Sequence, residues 1–195
     1  MNNSLFVIGF LFLLFSCSGG GNNSDVIQVT DTIVIDSALI SLPEAIRDLP
    51  VGIEVLQEPD SLRAEKWDKD SSFYVWKHST LIRSLKGDLK ILEFATCNYK
   101  NGNWVLGNIN EKLYGPDELN KWYIKKTDDI ITWDHPIEGV IEAGVQYIDP
   151  SNYSIRNKKL VSREGLWYFI GVDTSGTKYM GYGRYVALPE LKKGH

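Results

Sequence analysis

Through much of the chain after Phe73, apolar and polar positions alternate with the period of two that belongs to half-buried β-strands. From Phe73 to Ile82 one face collects Tyr74, Trp76, His78, Thr80 and Ile82, and the other Phe73, Val75, Lys77 and Ser79. Asp88 to Cys97 is apolar on both faces, with Leu89 and Ile91 on one and Leu92 and Phe94 on the other, as in a central strand. Asn101-Gly102-Asn103 predicts a tight turn that returns the chain into Trp104-Val105-Leu106. Ile130 to Trp133 and Val140 to Ile148 are further short strands. The clearest hairpin joins Leu166–Gly171 to Lys178–Leu188 across Asp173-Thr174-Ser175-Gly176. Gly181 and Gly183 share one face of its second strand, which predicts a close neighbour, most simply an aromatic side chain.

Helical signals are few. Ser41-Leu42-Pro43-Glu44 pairs a capping box with an early proline, predicting a short helix to about Asp48 before Pro50 stops it. Gly115-Pro116-Asp117-Glu118 opens a second short helix through Leu119 to Tyr123. Val26 to Ile35 and Val51 to Leu56 read as β, and the charged run Asp60 to Asp70 as a short exposed helix or a linker. Together these elements predict a mainly-β domain, an antiparallel sandwich or barrel-like fold with one or two short helices.

The N-terminus has a different pattern. Leu5 to Phe15 is apolar apart from Gly9, too short to span a bilayer, and it runs into Leu14-Phe15-Ser16-Cys17 and then Ser18-Gly19-Gly20-Gly21-Asn22-Asn23-Ser24. This stretch resembles a bacterial lipoprotein signal, with Cys17 where that family carries its lipidated cysteine. The resemblance implies cleavage before Cys17, lipid on that residue, and attachment to a bacterial outer membrane on its periplasmic face or at the cell surface. It divides the chain into a signal at 1–16, a lipidated cysteine and flexible tether at 17–24, an acidic segment at 25–70 expected to dock, and the mainly-β domain at 71–195. The membrane, through the lipid, is then the first expected partner.

Charge sharpens that division. The net charge of −4 splits into −7 over 18–70 and +3 over 71–195. Lysines occur as isolated pairs (Lys125-Lys126, Lys158-Lys159, Lys192-Lys193), not as the concentrated basic surface that nucleic acid demands, so no nucleic acid partner is expected. With Cys17 lipidated, Cys97 has no partner for a disulfide and reads as a buried, inert thiol.

No catalytic motif stands out. Ser175 lacks the glycine two residues before it that a nucleophile elbow needs, and Gly181-Tyr182-Gly183 lies inside a strand with no helix after it. His78 falls on an aromatic strand face and reads as a hydrogen-bonded core residue. His135 sits in an acidic turn with Asp134, Asp128 and Asp129, without metal-ligand spacing, so neither metal nor cofactor is expected. Asp31-Thr32-Ile33, Asp36-Ser37-Ala38 and Asp60-Ser61-Leu62 resemble the O-glycosylation acceptor of some bacteria rich in surface lipoproteins, which makes Thr32, Ser37 and Ser61 candidates for modification.

The remaining candidates are aromatic. Trp76 and Trp167 lie among apolar strand neighbours and read as core. Trp104, Trp122, Tyr123 and Trp133 stand beside turns or on a short helix, where an amphipathic ring can serve a ligand, so contact is expected there and not through His78 or Cys97. The expected function is a lipid-anchored envelope binding module for a glycan, peptide or partner protein. An envelope hydrolase with unidentified carboxylates and a structural or inhibitory subunit are the alternatives.

Overall fold

The computed structural model describes residues 41–108, 111–127 and 130–193. Cys17, Thr32, Ser37 and the expected strand Val26–Ile35 lie outside the described residues, as do Asp128, Asp129 and His195. The strands are β1 (Ile53–Glu58), β2 (Ser61–Trp67), β3 (Asp70–Ser84), β4 (Leu89–Lys100), β5 (Asn103–Leu106), β6 (Ile124–Thr127), β7 (Ile130–Ile131), β8 (Val140–Ile141), β9 (Gln146–Asn157), β10 (Arg163–Val172) and β11 (Lys178–Leu191), with the helix α1 (Pro116–Trp122) between β5 and β6. They run in the order β5-β4-β10-β11-β2-β3-β9-β6-β7, with β1 added to β3 and β8 to β4. The protein is therefore mainly β and sandwich-like, and the sheet does not close into a barrel. Among the described strands every pair is antiparallel except β2 with β11, which join the two halves in parallel.

Trp76, Ile82 and Tyr147 from β3 and β9 meet Leu89, Ile91, Phe94, Trp167 and Phe169 from β4 and β10 in the central core. Phe94 and Phe169 stack with centroids 5.1 Å apart and planes at 8°, a pairing that adds about 0.5–1.5 kcal/mol to their burial. A second cluster on the other face of β4 and β10 holds Ala95, Cys97, Leu166, Tyr168 and Ile170, covered by Ile46 with Leu42 and Leu49.

Three details depart from the alternation. A bulge lies opposite the Ile170/Gly171 step, where β4 passes from Glu93 to Ile91. It leaves Leu92 38% exposed and returns Phe94 to the core beside Leu89 and Ile91, so Leu92 and Phe94 do not share a buried face. The charged run after Asp60 is strand β2, neither helix nor linker. Leu62 and Ala64 point into the core, while Arg63 pairs with Glu190 at 3.1 Å and Glu65 with Lys77 and Lys192 at 3.1 and 3.0 Å. The step near Asp70 is the turn between β2 and β3. The third departure is at Ser41–Glu44, where no side-chain cap forms and only a 3-10 turn, Glu44–Ile46, results. There the Ser41 carbonyl accepts the Trp104 indole N–H.

The other turns follow their residues. Asn101 and Gly102, at φ 53° and 82°, make the two-residue turn from β4 into β5. Helix α1 begins after Gly115, whose N–H donates to Glu118 Oε2 at 3.1 Å. The β10–β11 hairpin turns through Gly176 at φ 86°. The neighbour of Gly181 and Gly183 is the backbone of β1, not an aromatic ring: a Cβ at Gly183 would lie 2.8 Å from the Val55 carbonyl oxygen.

Candidate functional site

An open cleft of about 710 Å³ lies where strands β3, β4, β9, β10 and β11 meet α1 and the segment after β7. Its placement follows from a bulge in β9. His78 pairs with Asn152 and Thr80 with Asp149, so Pro150 and Ser151 together stand opposite Ser79. A proline can occupy a strand at such a break, where no ladder N–H is required of it. The extra residue puts Asp149 and Asn152, three apart in sequence, level with His78 and Thr80, and all four are buried.

These groups are tied together by hydrogen bonds. Asn152 Nδ2 donates to Thr80 Oγ1 at 2.8 Å, and Thr80 Oγ1 donates to Gln57 Oε1 of β1 at 2.9 Å. Asp149 Oδ1 accepts the Ser151 N–H at 3.0 Å, and burial raises its pKa above the ordinary carboxylate value. The His78 ring packs against that of Tyr185 with centroids 4.9 Å apart and planes tilted by 31°. The Tyr185 ring in turn lies over Gly165, where a Cβ would collide with it. His78 is 5% exposed, and neither ring nitrogen finds a hydrogen-bond partner among the described residues. Burial, and then the positive charge of Arg163, lower its pKa to about 4. Two buried nitrogens without partners are costly to a fold, about 1–3 kcal/mol each, and such groups call for an explanation.

The walls are aromatic. Trp122 packs edge-on against Tyr114 and Phe94, with centroids 4.7 and 5.7 Å away, and Tyr114 lies nearly parallel to Trp167 at 6.1 Å. Trp133 stands on the rim, 80% exposed. Beside it His135 Nδ1 donates to the Tyr123 carbonyl at 2.8 Å, a bond that fixes its proton on Nδ1 and leaves Nε2 for other contacts. Asn98 and Asn108 contribute amides, and Arg163 Nη1 donates to Asn98 Oδ1 at 3.3 Å.

The expected aromatic contacts separate in space. Trp122 and Trp133 line the cleft. Tyr123 is fully buried in the core, edge-on to Phe94 and Phe169. Trp104 lies on the opposite face of β4, against Tyr99 and beneath Arg184, and does not line the cleft. Trp76 is wholly buried, with its indole N–H on the Leu188 carbonyl at 2.9 Å, and Trp167 is 6% exposed while still lining the cleft. His78, expected to be a bonded core residue, is buried, has no hydrogen bond among the described residues and lines the cleft. Cys97 sits in the second core cluster at 3% exposure. Ser61 is exposed at the start of β2.

Asp149 is the one carboxylate among the described lining residues. No three His, Cys, Asp or Glu side chains among the described residues gather as a metal site. In comparisons with family models, curated proteins and solved structures, nothing matches the chain.

Proposed function

We propose that the protein is a lipid-anchored cell-envelope binding module and that its ligand is a glycan held in the cleft. The observation that carries this reading is the combination of indole and phenol rings, Trp122, Trp133 and Tyr114, with amides and imidazoles on one concave surface. A sugar ring has C–H faces, which suit aromatic rings, and a hydroxyl edge, which needs paired donors and acceptors such as Asn98, Asn152 and His135 supply. A rigid sheet holding these groups limits the entropy lost on binding. Glycosidic hydrolysis by the usual route requires two carboxylates flanking the bond, and the described lining offers Asp149 alone, so binding is favoured over hydrolysis. The lipid anchor rests on Leu14 to Cys17 and the glycine tether.

Two measurements test the two parts. Glycan-array screening of the full-length chain should give retained oligosaccharides whose binding is lost in Trp133→Ala, and retention by the variant equal to the parent's would contradict the cleft as the site. Cys17→Ser should shift the protein from the membrane to the soluble fraction. Equal solubility of both forms would remove the anchor.

A further inference from the structure

We infer that the ligand of the cleft is an acidic sugar whose carboxylate is received by Arg163 and His78, while its ring lies toward Trp122 and Trp133. The inference rests on the glycan reading and adds the charge class.

The sign of the lining is the first reason. Among the described lining residues Arg163 and Lys121 contribute positive charge, and His78 and His135 add two imidazoles, against the single carboxylate Asp149. Burial holds the pKa of that carboxylate up and so opposes its ionised form. The protein as a whole is acidic, at −4. A cationic concavity in an acidic protein selects anions locally, and low-dielectric walls focus its field.

The second reason is the unmet hydrogen-bonding capacity of His78. Its ring is held by the tilted contact with Tyr185 and not by any hydrogen bond among the described residues, and it lines the cleft with both nitrogens buried. Arg163 stands at the same end of the site, its guanidinium 6.0 Å from the ring centroid of Trp76, two residues before His78 on the same face of β3. A carboxylate there accepts from the guanidinium, whose planar donor fork matches its geometry, and from an imidazole N–H. A neutral hydroxyl at the same place could take one such bond without the charge. Trp122 and Trp133 belong to α1 and to the segment after β7, on a different wall from His78 of β3 and Arg163 of β10. One ring substituted with a carboxylate can therefore use both sets of groups.

The test is calorimetric titration of the full-length chain with three probes: oligogalacturonate, the same oligomer with its carboxyl groups reduced to alcohols, and a sulfated galactan of matched length. The expected result is binding of the uronate, with the reduced oligomer about tenfold weaker or more, one tenfold step being about 1.4 kcal/mol. Arg163→Gln and His78→Phe should each bring uronate affinity down toward that of the reduced oligomer, with a smaller loss for the reduced oligomer, whose hydroxyl can take a single bond at that place. Thermal melts identify any variant that fails to fold. His78→Phe retains the ring and removes the unbonded nitrogens, so it carries the test if Arg163→Gln does not fold. Equal binding of charged and reduced oligomers, or no change in His78→Phe, overturns the acidic-sugar inference and leaves the glycan reading standing. Preference for the sulfated chain overturns the assignment to a carboxylate. Failure of every probe, together with a blank glycan array, overturns both.

Discussion

Gly181 of β11 meets the Ile53 carbonyl of β1 with no room between them for a side chain, because β1 crosses the core-facing side of the last strand at that point. The crossing begins where Gly52 N–H donates to the Met180 carbonyl at 2.9 Å and Met180 N–H to the Pro50 carbonyl at 2.8 Å. It continues over Gly183, and it lets β1 reach β3 with Gln57 placed next to Thr80. The polar floor of the cleft therefore depends on two missing Cβ atoms, the one at Gly183 standing directly against Gln57.

Gly181→Ala should cost about 3 kcal/mol or more, the upper end of overpacking penalties, because the obstacle is backbone and cannot rotate away. Gly176→Ala should cost about 1–2 kcal/mol for its positive φ alone, since its surroundings are open. Gly87→Ala, with open space and no positive φ, should be neutral. Chemical denaturation midpoints at constant slope read all three, and a Gly181→Ala variant as stable as the parent would mean that β1 does not cross there.

Acid sensitivity should trace to His78. The unfolded chain protonates this ring near 6.5, whereas the folded protein holds it neutral to about 4. Between those values the unfolded state binds the extra proton, so stability is full above pH 6.5 and falls with pH, by about 3 kcal/mol at pH 4. Asp149 acts in the opposite sense. Its raised pKa contributes stability below the unfolded value of 3.8 that is lost as pH rises through the folded value. Because Asp149 is common to parent and variant, comparing the two isolates the histidine. Stability of His78→Phe should fall less between pH 7.5 and pH 4.5 than that of the parent, and parallel curves would contradict a buried neutral imidazole.

Cys97 should be chemically silent in the native protein. Burial pushes its thiol up to about 11, and at 3% exposure no bulky reagent reaches it. Labelling by a maleimide should appear only after denaturation, and native labelling at the rate of a free thiol would be inconsistent with this core.

The tryptophans divide by burial. Trp76→Ala should cost about 3–5 kcal/mol, as for other fully buried large rings, and it also removes the indole bond to Leu188. Trp133→Ala, at 80% exposure, should leave the melting temperature unchanged. Equal losses in the two would contradict the placement of Trp133 on the rim.

Much of this fold could be read from alternation. The β3 face with Trp76, His78, Thr80 and Ile82 is buried as its spacing predicts. The β10–β11 hairpin and the Asn101-Gly102 turn also stand where their residues put them. Alternation fails at bulges, which shift a strand by one residue without any signal in local hydrophobicity. Leu92 is one case. Pro150-Ser151 is the consequential one, since it alone brings Asp149 and Asn152 beside His78, and a proline after an aspartate reads as a turn, not as mid-strand. β2 is not legible in the sequence, because its inward residues are only Leu62 and Ala64 among charges whose partners, Glu190 and Lys192, lie far along the chain. The positions of Trp122 and Trp133 near turns mark them as candidates, but Trp104 and Tyr123 share that feature. Which wall each ring joins is decided by pairings distant in sequence.

The account turns on the cleft being the place where ligand binds, and the six tryptophans can report on it directly. In a two-dimensional 1H–15N spectrum of the full-length chain, the indole N–H signals of Trp122, Trp133 and Trp167 should shift on titration with a retained oligosaccharide. Those of Trp67, Trp76 and Trp104 should hold still, the last two bonded to the Leu188 and Ser41 carbonyls away from the cleft. Shifts confined to Trp104 or Trp67, with Trp122 and Trp133 unmoved by a ligand that binds, would place the site elsewhere and contradict the account.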